Sequence, residues 1–277
     1  MRRTTALLST SVVAALTLTG CAQASTVHRA APGAAPQEAV VAAVLATATA
    51  GTATVTLDLR GGSGAGALTV SVAGRVALDG SRADLTATLP KGTLGRDTPL
   101  RLHEIVVAKK AYLSVDGVSP LPGLLPDMWI STDVDGAPGA AGLGSLATTG
   151  GVRPLLDALR SVTEVSDLGP QQVGGVPTTH YQARIDGSAL LGSLGGLAPG
   201  GTIPGLPSGS VPRLPTDAAV PVDVWVDGSG RLVGLTAALD SGAATAASAR
   251  LTFTDFGAPL QVSAPSGALD LSGLFGG

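Results

Sequence analysis

Small apolar side chains alternate with polar ones through most of this chain. Between residues 52 and 59, Val55, Leu57 and Leu59 alternate with threonine and aspartate, and a similar pattern runs from residue 68 to residue 78. A period of two places the two sets of side chains on opposite faces of a β-strand. Glycine-rich turns, among them Asp79-Gly80, separate these runs and favour hairpins. The pattern therefore predicts an antiparallel meander with one apolar face and one polar face.

The same pattern predicts more strands along the chain, and a period of 3.6 predicts three short helices. Turn signals lie between the elements at Gly174-Gly175 and at Asp227-Gly228-Ser229-Gly230. The further strands are expected at 84–89, 100–108, 111–115, 128–132, 163–168, 178–185, 222–226, 231–239 and 249–256, and the helices at 37–50, 152–162 and 188–194.

Composition excludes several classes of protein. Only 13% of the 277 residues are charged and the formal net charge is −3, which argues against a nucleic-acid-binding surface. Apolar residues make up 44% of the chain, enough to build a core and to argue against disorder. The chain has one cysteine, which excludes an intramolecular disulfide and a cysteine-rich metal site.

The first 21 residues have the pattern of an export signal. Arg2 and Arg3 precede an apolar stretch from Ala6 to Leu18, which is short for a membrane span. This segment resembles a bacterial lipoprotein signal, with Leu18-Thr19-Gly20-Cys21 as the lipobox. The resemblance implies removal of residues 1–20, a diacylglyceryl and N-acyl anchor on Cys21, and a location on the outer face of the cytoplasmic membrane. A chance LTGC sequence or an uncleaved anchor is the alternative.

Motifs for catalysis and for metal binding are weak. The chain has no G-x-S-x-G elbow and no Walker A lysine, and His103-Glu104 lacks the second histidine of a zinc helix. A Ser/His/Asp site would have to use His103 or His180, and each is more simply explained as an ordinary strand residue. We therefore expect a protein that is not an enzyme, with no metal and no cofactor apart from the lipid on Cys21.

Three stretches together resemble the LppX/LprG-type lipoproteins of actinobacteria, which have a LolA-like half-barrel. They are residues 173–181 (VGGVPTTHY), 221–232 (PVDVWVDGSGRL) and 253–260 (FTDFGAPL). The resemblance implies an α+β fold, in which a strongly curved antiparallel half-barrel wraps over a few helices. It also implies an apolar cavity that binds acyl chains of a lipid or glycolipid and carries them within the cell envelope.

This interpretation divides the chain into four parts and assigns its partners. A lipoprotein signal peptide occupies residues 1–20, a flexible tether 21–36, the lipid-binding domain 37–265 and a flexible tail 266–277. Residues 192–220 form a Gly/Pro-rich loop within the domain. We expect a monomer with a lipid or glycolipid ligand, anchored to the membrane through Cys21, and a membrane lipid transporter is a candidate partner.

The residues predicted to line the cavity are small or medium apolar side chains on strands and on the helix at 152–162. With few aromatic residues in the chain, this interior has little bulk to fill it. Trp225 alternates with Val222, Val224 and Val226, so the pattern leaves open which of the two sets faces inward. The candidates for the lining are Leu68, Val70, Val72, Val76, Leu78, Leu85, Leu89, Leu155, Leu156 and Leu159.

Two alternatives remain at this stage. The helices at 37–50 and 152–162 would fill the space between themselves and the sheet, leaving an ordinary core. In the second alternative, the chain is a lipid-anchored interaction or sensor module of the cell envelope, with the same fold and no role in transport.

Overall fold

A computed structural model describes residues 33–61, 68–92, 97–117, 127–134, 152–193, 219–240 and 246–272. The predicted signal peptide, Cys21 and the tether as far as residue 32 lie outside these residues. Most of the predicted Gly/Pro-rich loop and the last five residues of the predicted tail lie outside them as well.

The described residues form one curved, open and almost entirely antiparallel β-sheet with a few helices, which confirms the predicted fold class. The sheet has 12 strands in the order β12-β6-β5-β4-β3-β2-β1-β11-β10-β9-β8-β7. The helices are α1 (Pro36–Ala48), α2 (Arg153–Leu159) and α3 (Gly187–Ser193). The strands are β1 (Thr52–Gly61), β2 (Leu68–Ala77), β3 (Ala83–Leu89), β4 (Leu100–Val107), β5 (Lys110–Val115), β6 (Ile130–Asp133), β7 (Thr163–Val173), β8 (Val176–Asp186), β9 (Ala219–Asp227), β10 (Leu232–Asp240), β11 (Ala246–Thr254) and β12 (Leu269–Asp270).

Two meanders make up this sheet. Strands β1 to β6 pair in chain order, and β7 to β11 do the same. The two meanders meet where β1 pairs with β11, from Thr54 opposite Thr254 to Arg60 opposite Ser248. The sheet is therefore continuous although its two halves are formed by separate stretches of the chain.

The hairpin turns follow the predicted turn signals. Gly174 and Gly175 both have positive φ, 58° and 82°, and they connect the pair Val173–Val176. Two consecutive positive φ values are typical of the type I′ turn, whose twist matches that of the two strands. At the β9–β10 turn, the Gly230 amide donates to the Asp227 carbonyl at 2.9 Å, and the Asp227 carboxylate accepts from the Ser229 amide at 2.8 Å.

The end of the chain differs from the predicted flexible tail. Residues 269–270 form β12, which pairs in parallel with β6, and Leu271 is buried. The Lys110 ammonium lies 2.7 Å from the Asp270 carboxylate and 3.2 Å from that of Asp133. Glycines near the end of the chain suggested flexibility, but backbone pairing with β6 and the ion pairs to Lys110 hold these residues in place.

The contact with Lys110 also changes the acidity of Asp270. Hydrogen bonds from Lys110 and Ser272 hold the pKa of the Asp270 carboxyl well below its usual value. Because the folded-state pKa of Asp270 is lowered, this contact stabilises the pairing of β12 with β6 at pH values above the ordinary carboxyl pKa. The stabilisation is lost as the pH falls through the folded-state pKa.

Gly74 marks a position in β2 where the neighbouring backbone comes very close. Its φ is +157°, and a Cβ added there would lie 2.0 Å from the Asp84 carbonyl oxygen and 2.9 Å from the Leu85 Cα. Both contacts are with backbone atoms, which cannot move aside as the end of a flexible side chain can. Only glycine fits at this position.

We predict that Gly74→Ala lowers the free energy of unfolding by roughly 2–4 kcal/mol, because the methyl group would displace the β3 backbone. Urea unfolding followed by circular dichroism measures this loss. Gly228→Ala is the control, since its Cβ would meet nothing within 4 Å. A Gly74→Ala protein as stable as the Gly228→Ala protein would contradict the close approach.

We also predict that Lys110→Ala loosens β12 and leaves the rest of the sheet intact. Hydrogen exchange of the Leu269 and Leu271 amides, which donate to Trp129 and Ser131, should accelerate roughly two- to fivefold, as expected for a partly exposed ion pair. Lys109→Ala, at an exposed turn position, should leave these rates unchanged. Equal rates in both variants would show that backbone pairing alone holds β12.

Candidate functional site

The inner face of the sheet, on which α1 packs, is apolar across both meanders. Strand register continues the alternation from strand to strand: Leu57 of β1 lies between Val72 of β2 and Leu251 of β11. Beyond β2, Ala87 and Leu102 extend the same row. These side chains belong to one hydrophobic cluster that also includes residues of α1 and α2.

The predicted lining residues that can be placed all lie in this cluster. Val70, Val72, Val76, Leu78, Leu85, Leu89, Leu155, Leu156 and Leu159 are buried, with at most 8% of each residue exposed. The side chain of Leu68 lies outside the described residues. Burial is common to a packed core and to a ligand-binding interior, so the assignment as a lining remains a prediction.

The described helices pack mainly against one half of the inner face. Helix α1 contacts β7, β9 and β10, and α2 and α3 both contact β8. Thr47, which is fully buried, joins α1 to the sheet: its hydroxyl donates to the Ala43 carbonyl at 2.8 Å and accepts from the Leu232 amide at 2.8 Å. The half of the inner face formed by β2–β5 is therefore the half that these helices cover least.

Glu104 is an acidic residue on this apolar face, and in the sequence it drew attention only beside His103, as part of an incomplete zinc motif. Its Oε1 is buried and has no hydrogen-bond partner in the part of the chain that the structure describes, and 6% of the residue is exposed. Burial raises the pKa of the Glu104 carboxyl well above its usual value, which favours the neutral form. An unpaired buried polar group costs about 1–3 kcal/mol. A sequence signal for this orientation was present: Glu104 follows Leu100 and Leu102 and precedes Val106 at a spacing of two, so it shares their face of the strand.

The two histidines of the sequence analysis lie on the outer face, each beside an aspartate. His103 Nε2 is 2.7 Å from Asp84 Oδ1, and His180 Nε2 is 2.8 Å from Asp223 Oδ1. Each pair connects adjacent strands, and residues next to these in sequence, such as Leu102 and Val224, point into the apolar cluster. The structure therefore separates both His–Asp pairs from the inner face by the thickness of the sheet.

The orientation of Trp225, which the sequence left open, is outward. Val222, Val224 and Val226 are buried on the inner face. The Trp225 ring stacks on His180 at 4.8 Å between centroids, and its indole N–H donates to Gln171 at 2.7 Å. The inward-facing residues of β9 are thus valines. The side chain of Trp225, the bulkiest of the strand, takes up no space in the interior.

Comparison with solved structures identifies proteins of similar fold. LppX from Mycobacterium tuberculosis is 18% identical with a TM-score of 0.46, and the match covers 81% of this chain and 98% of that one. LprF from Mycobacterium bovis is 14% identical with a TM-score of 0.47, over 84% and 97% of the two chains. The lipoprotein LppX gives its name to the family that the three stretches of sequence resemble.

A third match is more distant. A putative outer membrane lipoprotein-sorting protein domain from Vibrio parahaemolyticus is 11% identical with a TM-score of 0.24, over 76% of this chain and 88% of that one. No protein-family model matches the chain, and no curated protein matches it.

In the described part of the chain, no helix is both long enough and apolar enough to cross a membrane.

Proposed function

We propose that this chain is a membrane-anchored, extracytoplasmic lipoprotein that binds acyl chains of a lipid or glycolipid and carries them within the cell envelope. The proposal rests on the composition and the helix cover of the inner face of the sheet. This face is apolar across both meanders, and the described helices cover mainly the β7–β10 half. Acyl chains would enter between the sheet and the helices, over the β2–β5 half.

The side chains of this half suit a hydrocarbon ligand. Val70, Val72 and Val76 of β2 face inward, and β3 adds Leu85 and Leu89. Each CH₂ group that a lipid buries against such a surface contributes about 0.8 kcal/mol, without any directional contact. Binding would therefore depend on the length of the acyl chain more than on a particular head group.

The proposal includes no catalytic step. The His–Asp pairs, which are the nearest approach to catalytic groups in the sequence analysis, lie on the outer face. A lipid held on the inner face would be out of reach of both imidazoles. We propose that the protein binds and releases its ligand unchanged.

The anchor on Cys21 completes this proposal. Arg2, Arg3, the apolar stretch and Leu18-Thr19-Gly20-Cys21 resemble a lipoprotein signal. Two or three acyl chains on Cys21 would hold the protein firmly at the membrane, since each buried CH₂ contributes about 0.8 kcal/mol. The binding domain would then face the compartment outside the cytoplasmic membrane.

Retained lipid tests the binding function directly. Full-length protein purified from membranes in mild detergent should carry lipid into an organic extract, as measured by mass spectrometry. We predict that Val72→Trp lowers the retained lipid about tenfold, because the indole occupies the space of the acyl chain. Ala73→Trp, at the next position on the exposed face of β2, should leave it unchanged.

The comparison of the wild type with Val72→Trp also shows whether the interior is an ordinary packed core. If the interior is filled by the protein, the wild type carries no lipid, and Val72→Trp destabilises the fold by about 1–3 kcal/mol through overpacking. That result would contradict the carrier proposal and favour an interaction or sensor module with the same fold.

The anchor is tested by the mass of the N-terminal peptide. In the wild type we expect this peptide to begin at Cys21 and to carry a diacylglyceryl thioether. Cys21→Ala should retain residues 1–20 and carry no acyl mass, because the chain has no other cysteine. An unmodified Cys21 in protein taken from the membrane fraction would contradict the lipoprotein assignment.

A further inference from the structure

Glu104 occupies the middle of a strand whose other inward-facing residues are apolar. Leu102 and Val106 are its neighbours on the inner face of β4. Leu85 of β3 and Leu113 of β5 lie directly opposite it. Directly opposed side chains have their Cβ atoms about 4.5–5.5 Å apart, so the carboxyl group is surrounded by leucine and valine.

Neither a cation nor a hydrogen-bond donor compensates the carboxyl within the described residues. Oε1 is buried and has no hydrogen-bond partner. The neighbouring residues on β3, β4 and β5 are apolar and supply no positive charge. A group in this position is expected to be protonated, and a protonated carboxyl both donates and accepts one hydrogen bond.

The position of Glu104 along β4 determines which part of a bound lipid its carboxyl group would contact. Glu104 is four residues from the start of β4 and three from its end, which corresponds to roughly 13 and 10 Å at about 3.3 Å per residue. A head group that stays near an end of the strand does not reach that far. The complementary group must be carried on the hydrocarbon part of the ligand.

We propose that Glu104 is the specificity-determining residue for an acyl chain that carries a hydroxyl group along its length. A hydroxyl matches a neutral carboxyl because each group both donates and accepts a hydrogen bond. An unsubstituted chain leaves the carboxyl unpaired, and an anionic group would enter the apolar surroundings without a counter-ion. This inference rests on the proposed acyl-chain binding and adds the class of chain that is preferred.

Competition between two fatty acids of equal length tests the preference. Full-length protein in mild detergent is incubated with an equimolar mixture of stearate and 12-hydroxystearate. It is then freed of excess ligand by gel filtration, and the retained acids are quantified by mass spectrometry. We expect the wild type to retain 12-hydroxystearate over stearate by about tenfold after correction for partition into detergent alone.

Three variants separate specificity from folding. Glu104→Leu should retain stearate as well as or better than the wild type and lose the preference, so that the ratio falls to about one. Glu104→Gln should keep most of the preference, because a neutral amide also donates and accepts. Glu164→Leu is the surface control, since Glu164 is an exposed carboxylate on β7, and it should behave as the wild type.

The outcomes separate this inference from the proposed function. A wild type that retains neither fatty acid and also carries no lipid from the membrane overturns the acyl-carrier function itself. A wild type that retains both acids in equal amounts overturns the role of Glu104 and leaves acyl binding standing. If Glu104→Leu does not fold, Glu104→Met replaces it, since it also lacks a hydrogen-bonding carboxyl and is unbranched like glutamate: loss of the preference supports the role, and a retained preference overturns it. A preference that persists in folded Glu104→Leu also overturns the role.

Discussion

The pairing of β1 with β11 joins the two halves of this protein. Without that ladder, which runs from Thr54–Thr254 to Arg60–Ser248, the chain would form two separate meanders, each with an exposed edge and an apolar face of its own. A one-residue change of register would turn Leu57 away from Val72 and Leu251 and bring polar side chains to the inner face. The continuous apolar surface, and hence any binding role for it, depends on this register.

A one-sided sheet of this size needs a cover for its apolar face. Helix α1 provides part of it over β7, β9 and β10, and the buried hydroxyl of Thr47 joins the helix to the Leu232 amide. Removing that hydroxyl would leave a backbone N–H unpaired in the interior, at a cost of about 1–3 kcal/mol. The β2–β5 half has less helix cover, and Glu104 faces inward from it. The proposed hydroxylated acyl chain would satisfy both features, by burying hydrocarbon against the valines and leucines and by pairing the carboxyl through its hydroxyl group.

Local sequence signals predicted the features that depend on neighbouring residues. Gly174-Gly175 and Asp227–Gly230 form the expected hairpin turns because their backbone conformations and side-chain hydrogen bonds are local. Features that depend on distant residues were missed. Residues 269–270 pair with β6, more than 130 positions earlier in the chain, and Asp84 lies beside His103 only after β3 and β4 have paired. The orientation of Trp225 was left open, because the alternation along a strand does not say which of its two faces is buried.

The sequence by itself determined that this chain forms antiparallel strands with one apolar face, since an alternation with a period of two can be buried in no other simple way. It also placed Val72, Leu85 and Leu156 among the buried residues. Tertiary structure alone decided that the two meanders join into one sheet, which side of β9 faces inward, and that Glu104 has no hydrogen-bond partner among the described residues. These outcomes depend on strand pairs far apart in the chain, because hydrogen bonding and burial act between neighbours in space.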